Sequence, residues 1–198
     1  MIARHGVAPL LAVILAAVLV MHFLGWMYSL PVWLLAGLML VLYRDPDRAV
    51  PSRPLSVVSP ADGRVTSVSH TPDPYLERAS LKISIEMNPL GVFTTRSPVE
   101  GKVLEPHGHN ENNNEPHGVW LQTDEGDDIV MVMSRGRLNN KPRCYIRFGE
   151  RVGQGRRCGF VHWGGWIDVY LPDYSRAEVE ENATVLGGTD IIASLVHD

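Results

Sequence analysis

Eighteen consecutive residues, Val7 to Leu24, carry no formally charged side chain, and this run restricts what the chain can become more than any other feature. It is close to the roughly 20 apolar residues that a bilayer-spanning helix needs. After Gly25 to Ser29 a second, shorter apolar run follows, Leu30 to Tyr43. The pair predicts an N-terminal membrane helical hairpin over residues 1–43, turning near Gly25 and Pro31, with Trp26, Tyr28 and Trp33 as interfacial aromatics. A buried soluble helix pair and a cleaved signal peptide are the competing readings. Arg4 and the apolar run suit a signal peptide, but no small-x-small cleavage site precedes Trp26 and the apolar sequence resumes at once. Arg4 and His5 precede the hairpin, and Arg44, Arg48 and Arg53 follow it. If both runs cross, the positive-inside rule puts both ends on the cytoplasmic side, with the globular domain at an inner membrane.

Beyond Tyr43 the texture changes. Residues 44–56 are rich in proline and charge, as expected of a linker, and a domain is expected over 57–198. Short β-prone runs recur there between turn signals: Gly63 to Val68, Leu81 to Glu86, Gly101 to Leu104, Val119 to Gln122, Ile129 to Ser134, Tyr145 to Phe148, Phe160 to His162, Ile167 to Leu171 and Thr184 to Leu186. No amphipathic helix of ordinary length stands out. The expected fold is therefore an all-β, barrel-sandwich-like globular domain behind the membrane hairpin. Biotinyl and lipoyl carriers share that pattern but need a lysine at a hairpin tip, and Lys82, Lys102 and Lys141 occupy no such motif.

Charge and cysteine content exclude further classes. A net charge of −4 over 198 residues leaves no basic excess for a long nucleic-acid footprint. Cys144 and Cys158 are too few for a disulfide scaffold and are not spaced as a metal-binding pair, so two ordinary thiols are expected. His107, His109 and His117 lie among carboxylates and amides between Glu105 and Gly118, but the run has no fixed ligand spacing and reads as a solvated loop, so no metal site is assigned. Arg135, Arg137, Lys141, Arg143, Arg147, Arg151, Arg156 and Arg157 make the second half of the domain locally basic. On one face they would suit anionic lipid headgroups; otherwise they are a scattered solvated surface.

Four strings then become specific: YRDPDRAVP (Tyr43 to Pro51), VVSPADGRV (Val57 to Val65), MNPLGVFTTRSPVEGKV (Met87 to Val103) and GERVGQGRRCGFVHWGGWIDVYLP (Gly149 to Pro172). In order and spacing they resemble the short form of the phosphatidylserine decarboxylase family over nearly the whole chain. The resemblance implies a proenzyme that cleaves itself at a glycine–serine bond. The serine becomes an N-terminal pyruvoyl group, which forms a Schiff base with phosphatidylserine and takes up electrons while carbon dioxide leaves. The product is phosphatidylethanolamine. Such an electron sink is needed because a carbanion beside nitrogen is otherwise too unstable to form.

Two departures from the family pattern bear on that chemistry. Where the short form resembles RFGSRVDVYLP, this chain has HWGGWIDVYLP, so Gly164 matches the family's glycine and Gly165 stands at the serine. Glycine offers no hydroxyl to attack the preceding carbonyl, and no pyruvoyl cofactor is expected from it. Where the family resembles MNPLDVHVNRSPVEG, Gly91 replaces the acid and Phe93 the histidine that serves as acid and base. Asp62 of SPADG is the one retained processing acid, with capping of the turn before Gly63 as its ordinary alternative. Gly187-Gly188-Thr189 superficially resembles the Gly-Ser-Thr cleavage motif of longer family members.

The expected function is thus a non-self-processing, membrane-associated homologue connected with phosphatidylserine and phosphatidylethanolamine metabolism. Its expected partners are the membrane, a phospholipid headgroup, and a second copy or an active homologue, with no nucleic acid. The alternatives are an active decarboxylase using another processing residue and a purely structural membrane module.

Overall fold

The computed structural model describes residues 4–104, 117–136 and 139–196, and the chain divides into two compact units, Met1–Asp47 and Arg48–Asp198. The first unit holds α1 (Arg4–Leu24) and α2 (Trp26–Leu42), separated by Gly25 alone. Gly25 has φ 95°, a left-handed conformation open to glycine without a Cβ clash, so the helix breaks there. Leu10, Ala17, Ser29 and Ala36 are buried, while Leu11, Leu15, Phe23, Leu34 and Leu38 are exposed. Mostly small residues inside and large apolar residues outside are the pattern of a helix pair solvated by lipid, where close backbone approach drives association. The window Val7–Leu24 is long and apolar enough to cross a bilayer; α2, with 17 residues, spans about 26 Å and falls short of a full hydrocarbon core.

The second unit is built of strands, and no helix occurs among its described residues. An eight-stranded antiparallel sheet runs in the order β13 (Thr184–Val185), β2 (Gly63–Asp73), β3 (Arg78–Met87), β11 (Trp166–Pro172), β7 (Asp128–Met133), β6 (His117–Gln122), β5 (Gly101–Leu104), β9 (Arg151–Val152). Two smaller antiparallel sheets accompany it. One is β1 (Ser56–Val58), β14 (Ile191–Ser194), β12 (Arg176–Ala177); the other is β4 (Thr94–Arg96), β10 (Arg157–Phe160), β8 (Arg143–Cys144). The expected β architecture is present, but the large sheet is not a closed barrel, because its end strands β13 and β9 do not pair with each other.

Period-two alternation makes the core. Leu81, Ile83, Ile85 and Met87 of β3 and Ile167, Val169 and Leu171 of β11 face inward, against Val57, Ile192 and Ala193 of a small sheet. The opposite face carries Lys82, Ser84, Asp168 and a satellite apolar cluster of Val130, Val132 and Tyr170 capped by Tyr75, Leu76 and Trp120. The run Tyr145 to Phe148, expected as a strand, is instead irregular chain between β8 and β9: Arg147 N–H donates to the Glu150 carboxylate and Glu150 N–H to the Arg147 carbonyl, closing a turn there. From Arg48 onward the proline-rich segment belongs to the second unit, with Arg53 bridging Glu178 at 2.7 Å.

Close strand approach leaves no space at Gly63, where an added Cβ would lie 2.1 Å from the Glu86 carbonyl oxygen. Gly63→Ala is expected to lower stability by about 1–3 kcal/mol in urea unfolding, whereas an unchanged midpoint would mean that β2 and β3 are further apart than described.

Candidate functional site

The site is assembled on one turn. β3 ends at Met87, and Asn88 forms a tight bend in which its side-chain Oδ1 accepts from Leu90 N–H at 3.0 Å and its carbonyl accepts from Gly91 N–H at 3.0 Å. On one side Asn88 N–H donates to the Asp62 carbonyl at 3.0 Å, and on the other Met87 N–H donates to the Gly165 carbonyl at 2.8 Å. Further along the same segment Phe93 accepts from Val161 N–H at 2.9 Å. Asp62 and Gly165, far apart in sequence, are thus tied by backbone hydrogen bonds to Asn88 and Met87, and Phe93, a few residues on, is tied to Val161.

Their side chains do not form an acid–base–nucleophile line. The Asp62 carboxylate is gripped by the Arg48 guanidinium, Nη1 to Oδ1 and Nη2 to Oδ2, the latter at 2.6 Å. Gly187 N–H adds a bond to Oδ1 at 2.8 Å, and Arg48 Nη1 also donates to the Gly187 carbonyl at 2.7 Å. Both side chains are largely shielded, at 13% and 14% exposure, and a two-pronged pair in that setting is far stronger than a surface ion pair. Arg48 and Gly187 were not singled out beforehand as partners of Asp62: one is 14 residues away, the other 125, and no local spacing links them.

Phe93 is buried and packs edge-to-face on Phe160, with ring centroids 6.0 Å apart, and at 6.0 Å on Trp163. Phe160 in turn meets His162 at 4.6 Å. An aromatic plug therefore occupies the position assigned to the family's proton-transfer group. Gly164 has φ 69° and follows Trp163 at φ 61°, so the chain makes two left-handed residues in succession. A Cβ at Gly165 would stand 3.0 Å from Val161 Cγ1, 3.1 Å from the Arg135 carbonyl oxygen and 3.3 Å from that of Ser134. A side chain there is tight: Val161 Cγ1 and the two backbone carbonyl oxygens would have to give by a few tenths of an ångström. A shallow cavity of about 310 Å³ opens beside this turn, lined by Gly63, Arg64, Glu86, Met87, Asn88, Pro89 and Thr184.

Other chemistry-bearing groups are accounted for by packing. Lys82 pairs with Asp168 at 2.9 Å, and Asp168 also accepts from the Ser84 hydroxyl at 2.6 Å. Burial pulls the Lys82 ammonium down, but the hydrogen bond and charge of Asp168 outweigh it and leave the group above its usual range. Both thiols are raised by burial, that of Cys158 to about 12, which makes them poor nucleophiles. Among the described residues no group of three or more His, Cys, Asp or Glu is disposed to hold a metal. The stretch with His107 and His109 lies outside the described residues, as does Arg137.

Comparison with known proteins gives the same answer along the chain. The family model described as phosphatidylserine decarboxylase matches residues 35–193. The phosphatidylserine decarboxylase proenzyme of Nitrosomonas eutropha is 37% identical over 191 residues, covering 90% of this chain and 88% of that protein. The proenzyme of Nitrosomonas europaea is 35% identical over 205 residues, with 97% and 94% covered. That of Burkholderia ambifaria is 36% identical over 206 residues, with 98% and 96% covered.

Removing one partner of a shielded ion pair strands the other. Arg48→Met is expected to cost about 3–5 kcal/mol, and the Arg48→Met/Asp62→Asn double variant clearly less than the sum of the two single losses. Urea unfolding of the three variants checks this; additive losses would mean that the two side chains do not interact.

Proposed function

The chain belongs to the phosphatidylserine decarboxylase family, and from that premise we propose that it is a membrane-associated homologue in phosphatidylserine and phosphatidylethanolamine metabolism that does not process itself. The observation that carries the reading is the pairing of Gly165 with a buried Phe93 at the positions the family resemblance assigns to nucleophile and base. Self-cleavage needs an oxygen that attacks the Gly164 carbonyl and a group that takes the proton from it. A hydrogen atom and a phenyl ring provide neither. The residues do not fit a pyruvoyl group at position 165, and hydrolysis of the bond before it would expose only an amine.

On this reading the chain's own residues bind and position instead of reacting. Arg48 keeps Asp62 engaged in a structural pair with the Gly187 backbone. The cavity beside Asn88, with Arg64 and Glu86 on its walls, offers one cation and one anion to a zwitterionic phospholipid headgroup. The protein then retains a lipid or modulates an active homologue or a second copy of itself, with its globular unit on the cytoplasmic side of an inner membrane.

One observation favours a second reading, an active decarboxylase with another processing residue. Asp62 touches the Gly187-Gly188-Thr189 turn through Gly187 N–H at 2.8 Å, and the relatives above are named proenzymes. Attack of the Thr189 hydroxyl on the Gly188 carbonyl would give an ester. Elimination would release residues 1–188 as a carboxylate and leave dehydrobutyrine, which on taking up water and losing ammonia becomes a 2-oxobutanoyl group. Against it, Thr189 N–H is held to the Leu186 carbonyl at 3.2 Å in the bend leading to β14.

Intact mass of the purified chain, with borohydride or hydrazine labelling of any N-terminal carbonyl, decides between the two. A single unlabelled chain of 22.0 kDa is expected. A labelled fragment beginning at residue 189, or at any other residue, would overturn the non-processing reading.

A further inference from the structure

Leu90, Trp163 and Trp166 are 68%, 39% and 42% exposed, and all three border the diglycine. Trp163 and Trp166 flank Gly164 and Gly165 directly, and a Cβ on Gly164 would lie 3.4 Å from Pro89 Cα, the residue before Leu90. Trp163 is held at φ 61°, where a bulky L-residue is a conformational outlier. Glycine or asparagine would satisfy that backbone without strain. A half-exposed indole kept in a strained position beside two further exposed apolar side chains points to something outside the domain.

The surroundings indicate what that is. The Arg135 carbonyl lies 3.1 Å from the Cβ position of Gly165, Gly136 N–H donates to the Asn140 carbonyl at 3.0 Å, and the next residue, Lys141, is exposed, as is Arg143. Arg143 is in register opposite Phe160, whose ring adjoins His162 next to Trp163. Glu86, opposite Trp166 on β3, is the acidic side chain in direct register with the patch. Indoles suit the boundary between acyl chains and headgroups, and cations near an anionic surface add to the attraction. The same chain carries α1, which is long and apolar enough to reach a bilayer.

We infer that Leu90, Trp163 and Trp166, with Arg135, Lys141 and Arg143 beside them, form the face by which the globular unit docks on an anionic phospholipid surface, presenting the diglycine turn and its cavity to lipid. The inference rests on the lipid-binding part of the reading above and not on the absence of processing. Docking of this kind inserts the two indoles shallowly and keeps the cations at headgroup level. It is independent of the anchoring helices.

The test uses the full chain reconstituted into vesicles of phosphatidylcholine with or without phosphatidylglycerol. In a Cys144→Ser background the remaining thiol, Cys158, is fully buried, so a cysteine placed at Leu90 accepts an environment-sensitive fluorophore selectively. Asp173→Cys is the control: Asp173 is 56% exposed and lies just past the end of β11 remote from Trp166, about 20 Å away along the strand. With lipids spin-labelled at shallow depth, the Leu90 label is expected to be quenched several-fold more than the Asp173 label, and more strongly with phosphatidylglycerol. Trp163→Ala/Trp166→Ala is expected to abolish the difference while leaving the chain in the membrane fraction. Equal quenching at the two positions, or no quenching at Leu90, would overturn the inference. The intact mass of the same sample reports separately on processing.

Discussion

The double pairing of β3, with β2 on one side and β11 on the other, is the constraint on which the rest of the globular unit depends. Ten register pairs join β2 to β3 and seven join β3 to β11, and the ladder ends at Met87 and Asn88. Because those two residues hydrogen-bond to Gly165 and Asp62 respectively, the sheet fixes the candidate site as a by-product of its own register. A slip of one residue would turn Ile83, Ile85, Ile167 and Val169 out of the core. The site's backbone is therefore protected by core packing, independently of whether its side chains react.

For the same reason the proposed loss of processing is compatible with family membership. Phe93 and Gly165, which carry the proposed reading, are accommodated at little cost to the fold. Phe93 gains edge-to-face packing with Phe160 and Trp163, a contribution of roughly 0.5–1.5 kcal/mol per pair beyond burial. Gly165 leaves a crowded position without a side chain. Among the described residues neither position leaves a buried polar side-chain atom unsatisfied, and Asp62 is held by Arg48 together with the Gly187 N–H.

The parts of this structure legible in the sequence were those whose signal is local. Alternation in Leu81 to Glu86 and Ile167 to Leu171 marks half-buried strands because the period is carried within each run. β1, β4, β8, β9, β12 and β14 were not foreseen: they have two to four residues, and in β1 and β4 every residue is buried, so no alternation exists to read. The β2–β3 hairpin runs to Asp73 and resumes at Arg78, beyond the expected strand ends, because two paired strands can extend with polar residues once the turn is set. At the site, Phe93 and Gly165 were recognisable through the family resemblance alone. The Arg48–Asp62–Gly187 contact was not, since nothing in a linear pattern signals a pair whose members meet only after the domain closes.

On the proposed reading, self-processing fails at Gly165 and Phe93, where the resemblance places nucleophile and base. The direct measurement is self-cleavage of Gly165→Ser and of Gly165→Ser/Phe93→His, followed by mass. The account predicts that the single variant stays whole, having a hydroxyl but no group to take its proton, and that the double variant cuts between Gly164 and residue 165. Cleavage of the single variant, or an intact double variant that unfolds like the parent chain, would contradict it.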